Sequence, residues 1–237
     1  MTPKVTIVIP FYNCPYIEHA LSSACGQTYP NVEVVVVDDG SSQHSHRITP
    51  FRDSIHYLGK KNGGTASALN HGILHASGEY IAWLSSDDLF HYSKLEQQMA
   101  FMQEYGLQVS YTDFSTIDSK HAITRPTCGI PMSGTADLAR QLTYSNPVNG
   151  CTVVASKDLF MSLGLFNERL RYTHDYDMWV RMILHGARFG YLHEPLTLYR
   201  VHSGMGTVRH KKTILREYGK LKKMYRASLN QRWALGG

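Results

Sequence analysis

The chain has 237 residues, 43% of them hydrophobic and 18% charged, an ordinary globular balance that suits one large α/β domain or two small ones. No apolar run reaches the ~20 residues needed to cross a bilayer, and MTPKVTIVIP opens directly on a strand-like run, so no signal peptide is expected. The formal charge of +5 is modest but uneven, because Lys211, Lys212, Arg216, Lys220, Lys222, Lys223, Arg226 and Arg232 crowd the C-terminal end against the single acid Glu217. Such a run reads first as a solvated helix face and second as a membrane or partner contact.

In chain order, VTIVIP (5–10) is a short β-branched strand that turns at FYNCP. Tyr16, Ile17, Ala20, Leu21, Ala24 and Cys25 then recur at helical spacing, and QTYPN ends that helix. VEVVVVDDGSS (32–42) has no polar alternation, which predicts a central parallel strand buried on both faces. SIHYLG (54–59) is a weaker strand. After Gly63-Gly64, Ala66, Leu69 and Ile73 mark one face of a helix that breaks at HASGE. YIAWL (80–84) is the next buried strand, and Leu95, Met99 and Met102 mark the helix behind it. The alternation of strand and helix predicts an open parallel sheet covered on both faces.

From about residue 108 the rhythm changes. LQVSYTDF is strand-like, HAITRPTCGIPMSG irregular and ADLARQL a short helix. CTVVAS (151–156) is a buried strand and KDLFMSLG a helix that stops at Gly164. DYDMWVRMILHGA (175–187) is a strong helix with Trp179, Val180, Met182 and Ile183 on its apolar side, and LTLYRVHSG is a last strand entering a loop. No internal repeat or low-complexity linker divides the chain.

Ligands of open α/β sheets bind beyond the carboxyl ends of the strands. Three candidate strand ends stand there: Pro10 to Asn13, Asp38-Asp39-Gly40-Ser41 and Ser85-Ser86-Asp87-Asp88. Adjacent carboxylates at the end of a core strand repel and are costly to desolvate, so a compensating cation or a turn into water is required. Two such pairs in one crevice suit Mg²⁺ or Mn²⁺, which take few protein ligands and a phosphate-bearing substrate. Asp39 could instead accept the N–H of a base. KNGGTASALNHG is a glycine-rich helix entry that lets backbone approach a ligand, or else a plain turn. THDYDMW sets Asp175 and Asp177 at a helix start, where the macrodipole alone favours acids. YRVHSG offers His202 as an imidazole ligand or diphosphate contact. Thirteen histidines include no HExxH spacing, and four cysteines lack metal or disulfide spacing, which favours a reducing, cytoplasmic setting.

Taken in order, IPFYN, VVVVDDGS, NGGTASALNHGI, GEYIAWLSSDD, GCTVVASKDLFMSLGLFNERL and DYDMWVRM resemble the family 2 glycosyltransferases. The resemblance runs along nearly the whole chain. It implies a GT-A fold, α/β with a mostly parallel central sheet and helices on both faces. Residues 1–210 are then one domain, with a nucleotide-sugar half (1–110) and an acceptor half (111–210), followed by a basic helical tail over 211–237. It also implies transfer of a hexosyl or N-acetylhexosaminyl group, with inversion, from a UDP-linked or related donor to a saccharide or lipid-linked saccharide acceptor. Mn²⁺ or Mg²⁺ would assist, in cell-envelope or polysaccharide synthesis at the cytoplasmic side of a membrane.

Matched residue by residue, the resemblance puts Pro10 and Tyr12 in the nucleotide pocket and Asp38 and Asp39 at the base and ribose. Asn62 falls in the segment that closes over the donor. Asp87 and Asp88 match the metal-and-diphosphate motif, with Asp88 the direct ligand; Ser86 joins them at the donor, and His202, read from YRVHSG, joins them at the metal. Asp175 matches the general base, and Asn149 and Gly150 the wall of the sugar and acceptor pocket. The chain departs from the pattern at Ser85 and His174, where many members carry acids, and at Leu69, where many carry Arg. A catalytically silent nucleotide-sugar or partner-binding module and a nucleotidyltransferase remain as alternatives. A Rossmann oxidoreductase is disfavoured, because PFYNCP lacks its glycines.

Overall fold

A computed structural model describes residues 2–234. Met1 and residues 235–237, the end of the expected tail, lie outside the described residues. The elements in chain order are β1 (Val5–Phe11), α1 (Ile17–Cys25), β2 (Val32–Asp38), β3 (His56–Gly59), α2 (Thr65–His75), β4 (Tyr80–Trp83), β5 (Leu89–Phe90), α3 (Lys94–Tyr105), β6 (Val109–Ile117), β7 (Ile123–Arg125), α4 (Thr135–Leu142), β8 (Val154–Ser156), α5 (Lys157–Ser162), α6 (His174–Leu184), β9 (Phe189–Arg200), α7 (Gly206–Arg209) and α8 (Lys211–Ala234).

The strands form one sheet in the order β3-β2-β1-β4-β8-β6-β9-β5, with β7 on β6. β1, β2, β3, β4, β6 and β9 run in one direction, and β8, β5 and β7 run against them. The unbroken apolar runs of β1 and β2 follow from burial on both faces. Ile7, Ile9, Val34 and Val36 point into one core with Leu21, Leu95 and Met99. Val8, Val35 and Val37 point into the other, with Leu69, Trp179 and Ile183. Alternate residues of each strand thus serve opposite cores. α2 lies close on the second face because Gly72 has no side chain: a Cβ there would stand 2.4 Å from Val8 Cγ1.

Three local readings change. The irregular 121–134 stretch contains β7, and the expected strand 151–156 opens as a 3-10 turn, Gly150–Thr152, before β8. β9 is much longer than LTLYR because the strand continues through Pro195, where its register against β6 shifts and exposed His193 and Glu194 bulge out.

The basic tail, expected to be helical with a solvated face, forms α8 over its described residues. α8 packs on α4 and α6. Leu221 and Leu229 are buried in the second core, and Tyr218 and Tyr225 pack against it. Spacings of three and four residues put all four on one helical face. Removing α8 would therefore strip one side of α4 and α6. Leu229→Ala should cost about 2–5 kcal/mol, the range for emptying a buried leucine site. A denaturant-unfolding midpoint unchanged from the parent would contradict this packing.

Candidate active site

Parallel β1, β2 and β4 end side by side where the strand order reverses, and their carboxyl ends open into a cavity of about 1450 Å³. Pro10, Tyr12, Asp39, Asn62, Ser86, Asp87, Asp88, Asn149, Gly150, Asp175 and His202, eleven of the twelve residues expected from sequence, line it together. Asp38 is the exception. Its Oδ1 accepts from Ser41 N–H at 2.7 Å and its Oδ2 from the Tyr57 hydroxyl, so this carboxylate holds the turn after β2.

Asp39 ties a second loop over the cavity. Its Oδ1 accepts from Lys60 Nζ at 2.7 Å and Gly63 N–H at 2.9 Å, and its Oδ2 from Gly64 N–H at 2.7 Å. Asn62 Nδ2 donates to Asp39 O at 2.9 Å. Asn13, at a positive φ of 50°, accepts from Ser42 and Gln43 N–H at 2.8 Å each and so laces the β1 loop to the β2 loop.

The second acid pair answers the desolvation problem with an arginine from 112 residues further on. Arg200, at the end of β9, is fully buried. Its backbone N–H donates to Asp88 Oδ1 at 2.8 Å, its Nε to Asp87 O at 2.7 Å and its Nη1 to Asp118 O at 2.8 Å. The guanidinium carbon sits 4.4 Å from the Tyr16 ring centre. Asp87 Oδ2 is 3.0 Å from His202 Nε2. Asp88 is 1% exposed, and its Oδ2 is buried without a hydrogen-bond partner. Burial first, and the charge of Asp87 second, raise its carboxyl well above the ordinary range, and the Arg200 N–H offsets part of that. Ser85, the departure from the acidic pattern, turns its hydroxyl to Cys151 Sγ at 3.1 Å.

Across the cavity, Asp175 is the second residue of α6 and accepts from Asn146 Nδ2 at 3.0 Å. It keeps part of its surface open while the carboxyl is enclosed. Desolvation raises its pKa, and neighbouring His174 and the N–H groups at the helix start hold the rise back. Asp177 faces away: its Oδ2 pairs with Arg181 at 2.8 Å and its Oδ1 accepts from the Tyr225 hydroxyl at 2.7 Å. Burial also lowers the pKa of His174, whose two ring nitrogens have no hydrogen-bond partner. Its ring lies 5.6 Å from that of Trp83. Trp83 packs under Gly150, where a Cβ would come within 2.2 Å of the indole.

Sequence reading passed over Arg200, Trp83 and Glu217. Glu217 Oε2, from α8, accepts from Tyr172 N–H at 3.2 Å and from the Thr173 hydroxyl at 2.9 Å, holding the entry to α6. The available signal for Arg200 was a cation at an inward position of a buried strand, LYRV.

The description "Glycosyl transferase family 2" matches residues 6–161. The chain belongs to this family. Among its relatives is an uncharacterized glycosyltransferase of Rickettsia typhi, 37% identical over 213 residues, which are 87% of this chain and 66% of the relative. The chain thus spans just under two thirds of that protein's length. It is 29% identical to the Escherichia coli UDP-Glc:alpha-D-GlcNAc-diphosphoundecaprenol beta-1,3-glucosyltransferase WfaP, over 92% of this chain and 85% of WfaP. The mannosyltransferase PcManGT of Pyrobaculum calidifontis, solved with GDP-Man and Mn²⁺, superposes with a TM-score of 0.70 at 19% identity, covering 97% of this chain and 69% of that one. The family and this likeness establish the expected GT-A fold.

The clamp on the acid pair makes a direct prediction. Arg200→Met should leave the carbonyls of Asp87 and Asp118 unpaired and destabilise the chain by about 1–3 kcal/mol, and Arg200→Lys should recover only part, because an ammonium lacks the fork. Unfolding free energies of both variants within ~0.5 kcal/mol of the parent, the scatter of neutral surface changes, would contradict it.

Proposed function

We propose that the chain is an inverting glycosyltransferase that moves a hexosyl or N-acetylhexosaminyl group from a UDP-linked donor to a saccharide hydroxyl. The observation that carries this reading is one cavity lined by a buried, unpartnered carboxylate oxygen on Asp88 and by a second carboxylate, Asp175, with a raised pKa. UDP is favoured by the UDP-Glc named for WfaP, and a lipid-linked acceptor by the diphosphoundecaprenol in the same name.

Among the described residues no group of three or more His, Cys, Asp or Glu side chains forms a ready metal cage. The donors present nevertheless fit a divalent ion that keeps few protein ligands. Asp88 Oδ2 is buried without a partner, and the Asp87–His202 pair lines the same cavity with an oxygen and a nitrogen. Asp88, with Asp87 and His202, would hold Mn²⁺ or Mg²⁺, which when bound neutralises charge on the leaving diphosphate.

The remaining work falls to side chains of the chain itself. Pro10 and Tyr12 border the nucleotide end of the cavity. Asp39 Oδ2 accepts one N–H and keeps a lone pair for the N–H of a base. Asn62 and the 60–64 loop that Asp39 restrains cover the donor, and Ser86 and Asp87 border its diphosphate. Asp175 takes the proton from the acceptor hydroxyl as that oxygen bonds to the anomeric carbon. The C–O bond to the diphosphate breaks, and the nucleoside diphosphate leaves with the electron pair. A single displacement from the face opposite the leaving group inverts the configuration.

A base works only when deprotonated, so a raised pKa moves the acid limb of the rate upward: kcat/KM should fall, as pH drops, above the ~4 of an ordinary carboxylate. Asp175→Asn keeps the shape and removes the basic lone pair. Transfer should fall ~10²–10⁴-fold with donor binding retained, and any residual activity should lack that limb. The test is transfer from UDP-glucose and UDP-N-acetylglucosamine to saccharide acceptors, with NMR assignment of the product anomer. Near-parental transfer by a folded Asp175→Asn variant would overturn the base assignment, and retained configuration would overturn the mechanism.

A further inference from the structure

Charge in this molecule is segregated onto one structural unit. Residues 209–232 carry nine Lys and Arg against one Glu, which leaves fifteen Lys and Arg against eighteen Asp and Glu in the rest of the chain. The net positive charge therefore resides entirely in α7 and α8, and the remainder is slightly acidic. Within α8 that charge is also sorted by face. The one acid, Glu217, turns inward to Tyr172 and Thr173. The apolar residues Leu221 and Leu229 face the core. Lys212, Arg216, Lys220 and Lys223, at spacings of four, four and three, form an exposed stripe on the opposite side. Among the described residues, none of these four pairs with an acid.

Two further features separate this stripe from an ordinary solvated face. Leu215, 63% exposed, and Met224, 59% exposed, flank it on either side, and Val208 of α7 is 57% exposed. The stripe also begins at the rim of the cavity, because Arg209, His210 and Ile214 line the cavity itself. A helix whose inner face is packed into the core cannot swing away from the domain, so whatever binds its outer face is held at a fixed distance from the cavity mouth.

We infer that the outer face of α8 docks onto an anionic lipid bilayer and presents the mouth of the cavity to that surface. Cations attract anionic headgroups over about a Debye length, and exposed aliphatic side chains at the margins gain by entering the interface. That apolar flank favours a bilayer over a nucleic acid, whose charged backbone would gain nothing from Leu215 and Met224. Docking requires no spanning segment, and among the described residues no helix is long and apolar enough to cross a membrane. The inference goes beyond the proposed sugar transfer and does not depend on it, since binding is read without a donor or an acceptor.

The test is flotation of the full chain with vesicles of phosphatidylcholine alone and with 30% phosphatidylglycerol, at low salt and at physiological salt. The parent should float with the anionic vesicles only, less at higher salt. Combined Lys212→Glu, Arg216→Glu, Lys220→Glu and Lys223→Glu should weaken that binding at least ten-fold. Leu215→Ser with Met224→Ser should weaken it by a smaller factor that salt does not change. Circular dichroism establishes folding, and if the charge-reversed chain does not fold, the same four positions changed to Gln take its place. Equal binding to both vesicle types, or parental binding by the folded charge variants, would overturn the inference. So would displacement of the chain from anionic vesicles by an equal phosphate concentration of duplex DNA, which would reassign the face to nucleic acid.

Discussion

A fully buried arginine at the end of β9 holds the acidic end of β4 in place, and the cavity depends on that clamp. Without the Arg200 side chain, the two neighbouring carboxylates that end a core strand would keep only His202 beside Asp87 and the residue-200 N–H beside Asp88 to offset desolvation and mutual repulsion. Its backbone N–H takes one oxygen of Asp88, and its side chain takes the carbonyl of Asp87. Because β9 pairs with β6, and β6 reaches β4 through β8, the clamp also closes the second half of the sheet onto the first. A contact between residues 88 and 200 thus makes one site out of two halves of the chain.

What the clamp leaves undone is as informative as what it does. It satisfies one oxygen of Asp88 and leaves the other buried without a hydrogen-bond partner, with the Cys151 thiol as its neighbour. A carboxylate in that condition is pushed toward its neutral form unless a cation arrives. Asp175, across the cavity, is also raised by burial, and His174, the N–H groups of a helix start and Asn146 offset part of that rise. One environment therefore suits a cation-dependent acid and the other a proton acceptor. α8 contributes at a distance, because Glu217 fixes the residues that lead into α6 and hence the place from which Asp175 projects.

Much of this was legible in the sequence where the cause is local. The apolar run of β2 showed burial on both faces, and the spacing of Trp179, Val180 and Ile183 showed the buried side of α6. Eleven of the twelve residues that the sequence singled out line one cavity. The illegible parts are long-range. VVVVDDGS and WLSSDD read alike as acidic strand ends, yet Asp38 turns inward to Tyr57 and Asp39 toward Lys60, while Asp87 meets His202 and Asp88 meets Arg200. Partners 19 to 115 residues away decide those roles, and no local pattern encodes them. The inner face of the tail helix was illegible for a related reason: its charge density masked Leu221, Tyr225 and Leu229, which pack into the second core against α4 and α6.

The central claim is that the bare oxygen of Asp88 awaits a cation that carries the donor's diphosphate. Calorimetric titration of UDP into the parent chain and into Asp88→Ala, each with Mn²⁺ and with EDTA, tests it most directly. The account predicts that Mn²⁺ tightens UDP binding to the parent, and that Asp88→Ala loses this gain while keeping the weak metal-free binding. Equal UDP affinity with Mn²⁺ and with EDTA in the parent, or an undiminished Mn²⁺ effect in folded Asp88→Ala, would contradict it.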